Sequence, residues 1–124
     1  MNDRLFRLAD LSPAEVDILP FGAIRIARDG TILTYNQYEA RLSRLDAARV
    51  VGKNFFRDIA PCTAVKAFEG RMHEFITSKN QVSTTFDYFF SFAHDAVNVT
   101  ITFVKLPNDE IMIAVERLEP AAAP

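Results

Sequence analysis

The chain has 124 residues, 49 % apolar and 24 % charged, and its 16 acids against 14 bases leave a formal net charge of −2. That length supports one hydrophobic core, and without a basic excess to neutralise phosphates a nucleic-acid partner is not expected. No apolar run approaches the roughly 20 residues of a membrane span, the N-terminus lacks a signal peptide's apolar region, and the single cysteine excludes an internal disulfide or a Cys-Cys metal site, so a cytoplasmic setting is expected.

Residues 1–11 carry Leu5, Phe6, Leu8 and Leu11 with weak amphipathic character, as an N-terminal cap would. Ser12-Pro13-Ala14-Glu15 predicts a helix start, with Ser at the N-cap, Pro at the first helical position and Glu placed for a capping box. Pro20 stops that helix. The alternating G-A-I-R-I-A of 22–27, then Asp29-Gly30, then T-I-L-T-Y-N of 31–36 read as a β-hairpin with a tight turn. From Gln37 the composition turns helical, with Leu42, Leu45, Val50 and Val51 as the expected buried positions. Asp46 is placed to cap a second short helix that Gly52 ends.

Residues 52–63, G-K-N-F-F-R-D-I-A-P-C-T, hold the only cysteine. Phe55, Phe56 and Ile59 predict a short element pinned into the core, and Pro61 stiffens the turn that presents Cys62. Thr63 is expected to cap the longest helix, which runs through Phe68, Met72, Phe75 and Ile76. Three strands follow. Phe86, Tyr88, Phe90 and Phe92 share one face of the first, Val97, Val99, Ile101 and Phe103 one face of the second, and Pro107-Asn108-Asp109 turns the chain into E-I-M-I-A-V-E-R. The order predicts an α+β domain: a five-stranded antiparallel sheet with helices packed on one face, leaving a pocket between helices and strands. The expected division is an N-terminal cap over 1–18, a sensor domain over 19–118 and a disordered tail over 119–124.

Three features can carry chemistry. Cys62 is either a buried structural thiol or, ahead of a helix N-terminus at Thr63, an activated nucleophile. Tyr35, Glu39 and Ser43 follow at four-residue spacings; they are either a solvated helix turn or a phenol, a carboxyl and a hydroxyl aimed into one pocket. In the second case burial keeps Glu39 protonated. His73 and His94 are candidate iron or zinc ligands, but neither has a partner at metal-ligand spacing. With no Ser-His-Asp arrangement, glycine-rich phosphate loop or acidic cluster, an enzyme is not expected.

Together these residues resemble the photoactive yellow protein family of blue-light receptors with the PAS fold. The matching segments are L-P-F-G-A-I (19–24), D-G-x-I-L-x-Y-N (29–36), V-x-G-K-N-F-F-x-D-x-A-P-C-T (50–63) and A-F-x-G-R (67–71), and the similarity runs from about Leu19 to Arg117. The resemblance implies p-coumaric (4-hydroxycinnamic) acid bound to Cys62 as a thioester. It implies that Tyr35 and Glu39 hydrogen-bond the chromophore's phenolate, and that Ser43, where the family usually has Thr, supports Tyr35. Signalling by isomerisation, proton transfer from Glu39 and partial unfolding, toward a downstream protein still to be identified, is implied as well. The family's shielding arginine falls at Leu45, which leaves Arg44 as its substitute, and His94 stands where the family has a Met that speeds recovery. No membrane association is expected, and the chain is expected as a monomer or weak dimer. Two other readings remain at this level: a PAS sensor binding haem through His73 or His94, and a ligand-free module in which Cys62 is only packing.

Overall fold

The computed structural model describes residues 11–91 and 96–117. Helix α1 (Pro13–Asp17) opens on a complete capping box: the Glu15 amide donates to the Ser12 hydroxyl (3.2 Å) and the Ser12 amide to the Glu15 carboxylate (2.9 Å). Ser12→Ala is therefore expected to lower stability by about 1 kcal/mol in urea unfolding. An unchanged midpoint would show that the cap contributes nothing.

Strands β1 (Gly22–Ile26) and β2 (Ile32–Tyr35) form the expected hairpin. The Gly30 amide donates to Ala27 (2.9 Å), the Ala27 amide donates to Thr31 (2.8 Å), and Gly30 takes φ +95°, a value that favours glycine. The ladder slips between Arg25 and Ile26, a bulge that adds twist at the turn. Helix α2 (Gln37–Ser43) begins at an Asn36 cap and stops at Arg44, which sits in the left-handed region (φ 60°, ψ 37°). That break takes Leu45 out of the helical period. Leu45 and Val51 are 38 % and 46 % exposed, contrary to expectation, whereas Leu42 packs against the core and Val50 is buried. Asp46 caps α3 (Ala47–Val50), and Gly52 (φ +91°) follows it.

Residues 52–55 bind along the free edge of the hairpin. The Gly52 amide donates to Ile32 (2.8 Å), the Ile32 amide to Lys53 (2.8 Å) and the Phe55 amide to Gly30 (2.9 Å). A π-helical turn over Phe55–Ile59 follows, capped by the Asn54 carboxamide oxygen, and buries both phenyl rings. Next come a 3₁₀ turn over Pro61–Thr63, a second π-helical turn over Lys66–Gly70 and helix α4 (Arg71–Thr77). Thr63 does not cap that helix. Its hydroxyl is turned inward onto the Ala60 carbonyl (2.6 Å), and the extended backbone at Val65 separates it from the helical run.

Strands β3 (Ser83–Ser91), β4 (Ala96–Leu106) and β5 (Glu110–Arg117) complete an antiparallel sheet in the order β2-β1-β5-β4-β3. This is the predicted α+β architecture. Period-two alternation sends Val97, Val99, Ile101 and Phe103 to the helix side with Phe86, Phe90, Ile111 and Ile113. It sends Ala23, Val104, Met112 and Ala114 to the other side, where Val16 and Phe21 of the N-terminal segment cover them. The buried runs in β4 and β5 reflect this two-sided covering. Leu5, Phe6, Leu8, Phe92, His94 and the tail over 119–124 lie outside the described residues.

Candidate functional site

Tyr35 ends β2 and Asn36 starts α2, so Glu39 and Ser43, four residues apart, lie on the helix face turned toward Tyr35. The Tyr35 hydroxyl donates to Ser43 Oγ (2.8 Å), and Ser43 Oγ donates to the Glu39 carbonyl (2.8 Å). A serine hydroxyl has one proton, so this pair of bonds fixes the direction of the chain. All three residues are buried, Glu39 to 3 % exposure, and this excludes the solvated-turn reading.

Glu39 Oε1 has no hydrogen-bond partner among the described residues. Burial pushes the carboxyl up to about 8, with the neighbouring Tyr35 hydroxyl opposing the shift, so Glu39 holds a proton at neutral pH. The Tyr35 phenol is held above its ordinary value, first by burial and then by the charge that Glu39 would carry, against the pull of Ser43. This hydroxyl stays protonated.

Asn36 locks the assembly. Its carboxamide oxygen accepts from the Ala23 amide (2.9 Å) and the Glu39 amide (3.1 Å), and its NH₂ donates to Val16 (3.0 Å) and Phe21 (2.9 Å). One side chain therefore ties the helix bearing Glu39 to β1 and to the N-terminal segment. Asn36 is not among the residues expected from the sequence, although an Asn ahead of a helical run is an N-cap signal.

Cys62 is exposed at the centre of the 3₁₀ turn. The Tyr88 hydroxyl donates to its carbonyl (2.9 Å), a second residue whose part the sequence left unseen; alternation in β3 marked it only as core. Two expectations change. An exposed thiol is not packing, and since α4 begins at Arg71 there is no helix N-terminus at Thr63 to activate it. What holds the thiol is a turn anchored by Phe55 and Phe56 on one side and Tyr88 on the other.

The two halves of the site meet through rings. Phe68 has its centroid 5.9 Å from Phe55, 5.1 Å from Tyr88 and 5.4 Å from Phe103, and Tyr35 belongs to the same buried cluster. Aromatic rings line the helix side of the sheet. A cavity of about 660 Å³ lies on the opposite face, among Val16, Arg25, Leu33 and Met112, and reaches Tyr35 but none of Cys62, Glu39 and Ser43.

Arg44 is exposed at the end of α2, so the structure does not bring it to the other candidates. His73 is exposed on α4, and among the described residues no group of three or more His, Cys, Asp or Glu is placed to hold a metal. Nothing here favours a haem site. No helix among the described residues is long and apolar enough to cross a membrane.

No family model matches the chain. Individual proteins do. It is 37 % identical over 112 residues to photoactive yellow protein from Rhodothalassium salexigens, spanning 90 % of this chain and 89 % of the relative. It is 40 % identical over 98 residues to that of Cereibacter sphaeroides, spanning 79 % and 78 %. Among solved structures, the photoactive yellow protein domain of the sensor histidine kinase Ppr from Rhodospirillum centenum superposes with a TM-score of 0.80 at 37 % identity, covering 89 % of this chain and 96 % of that one. The PAS domain of an HTR-like protein from Haloarcula marismortui, at 14 % identity and a TM-score of 0.64, shares the fold.

Proposed function

The chain belongs to the photoactive yellow protein family and is a photoreceptor with the PAS fold, and from that premise we propose that it senses blue light through p-coumaric acid held on Cys62 as a thioester. The observation that carries this reading is the pairing of an exposed thiol on a pinned turn with a buried, protonated carboxyl whose Oε1 lacks a partner. These residues fit the group at both ends. The sulfur offers the attachment point and the orphaned, protonated Glu39 a donor that a buried phenolate needs, while Tyr35, whose one proton goes to Ser43 here, becomes a second donor by turning that proton to the phenolate. When bound, the group supplies absorption in the blue, a photoisomerisable double bond and a phenolate oxygen able to accept a proton.

The chain's own residues supply the rest. Ser43 fixes the Tyr35 ring, and Asn36 fixes the start of the helix that carries Glu39. Glu39 is the proton source. Once it gives its proton up it becomes a buried carboxylate with an unsatisfied oxygen, a state that costs several kcal/mol and is comparable with much of a small domain's stability. Asn36 couples that strain to α1 through the Val16 and Phe21 carbonyls, so loosening of the N-terminal segment is the expected signal. A signalling protein that reads this change is the proposed partner; the solved relative is itself a domain of a sensor histidine kinase.

The test is reconstitution of the purified protein with an activated p-coumaric acid derivative. A visible band that bleaches reversibly in blue light, with one added coumaroyl mass in the intact protein, is expected. An unlabelled, colourless product would end the proposal.

A further inference from the structure

Gly22 opens β1 and pairs with Val115 of β5. Among the described glycines only Gly30 and Gly52 take positive φ, so the backbone at Gly22 is one that any residue adopts. A glycine without a conformational reason in a sheet weakens the strand and marks a close approach. Here the approaching group is Glu39. A Cβ built on Gly22 would overlap Glu39 Oε1, stand 3.3 Å from its Cδ and meet Val115 Cβ at 3.1 Å on the other side. No hydrogen bond to Oε1 holds the carboxyl in this berth. The space left at Gly22 admits it, beside the Tyr35 hydroxyl.

We propose that Gly22 is a positioning residue for Glu39: the bare Cα on β1 admits the carboxyl beneath α2, and any larger residue turns it out. This rests on the reading of Glu39 as the internal proton source. Tyr35, from β2, is the titratable group that faces the carboxyl; β1, β5 and α2 bring Gly22, Val115 and Ser43, none of them titratable in this range. The group displaced by an alanine is the end of a flexible side chain, so Gly22→Ala is expected to fold with Glu39 rotated away.

The experiment uses the protein without chromophore. The carboxylic C=O stretch of Glu39, assigned by its disappearance in Glu39→Gln, is followed by infrared spectroscopy against pH. In Gly22→Ala the band is expected to shift and its titration midpoint to fall by about one pH unit or more, tenfold in the proton equilibrium. An unmoved band and midpoint would overturn the proposal. A double-mutant cycle adds a second readout. Gly22→Ala should lower the thermal midpoint in the parent but much less in a Glu39→Ala background, where no carboxyl needs displacing. Equal losses would place the effect at Val115 and overturn the proposal. Should Gly22→Ala fail to fold, recovery of folding by adding Glu39→Ala supports the proposal, and no recovery refutes it. Failure of reconstitution would remove the photoreceptor chemistry yet leave the apo-protein result standing, so the two readings fail separately.

Discussion

Cys62→Ala is expected to abolish colour completely: no visible band and no added mass after treatment with activated p-coumaric acid. The side chain is exposed, so the change should alter unfolding free energy by no more than about 0.5 kcal/mol. The combination matters, because loss of colour in a protein that unfolds at the parent's urea concentration isolates attachment from folding. Tyr88 bonds the Cys62 carbonyl rather than its sulfur, so the turn keeps its anchor in the variant. A variant that still colours and gains mass would place the thioester elsewhere and refute the assignment.

Glu39→Gln is expected to keep the colour, move the band to longer wavelength and reduce the light-induced structural change. An amide donates a weaker hydrogen bond to a phenolate than a carboxylic acid does, and it has no proton to give. Stability provides an independent check with a definite sign. Folded Glu39 keeps its proton up to about pH 8, whereas the unfolded chain releases it near the ordinary 4.5. Across that window the folded state binds more protons, so the contribution is fully present below about pH 4.5 and is lost as pH rises through about 8. The parent should therefore lose stability relative to Glu39→Gln, on the order of a few kcal/mol between pH 5 and pH 8. Urea midpoints at the two pH values measure it. Parallel pH profiles would mean that Glu39 is ionised in the folded protein and is no proton source.

Much of the framework was legible in the residues because it depends on local chemistry. Ser12-Pro13-Ala14-Glu15 specifies a capping box through groups three residues apart, and the structure has it. Asp29-Gly30 between alternating runs specifies a hairpin, and the inward set of β4 follows from period two. Four-residue spacing puts Glu39 and Ser43 on one face of the helix, and Tyr35, on β2, meets them through a tertiary hydrogen bond. The reading failed where a short-range rule met a long-range one. Arg44 adopts a left-handed conformation that nothing in R-L-S-R-L-D announces, and with it Leu45 and Val51 lose their expected burial. Thr63 carries an N-cap side chain, but its hydroxyl is taken by Ala60, and the helix starts at Arg71 after a π-helical turn.

By itself the sequence determined the α+β class, the strand pattern and the family, because periodicity, caps and motifs are properties of neighbours along the chain, but it left the parts of Asn36 and Tyr88 unmarked. Only the tertiary structure decided the states of the site residues. Whether Glu39 is ionised depends on what surrounds it: β1 without a side chain at Gly22, and, among the described residues, no hydrogen-bond partner for Oε1. Whether Cys62 is reachable depends on a turn held by Phe55, Phe56 and a tyrosine 26 residues away. Charge and exposure are set by groups distant in sequence and adjacent in space, and no local pattern encodes them.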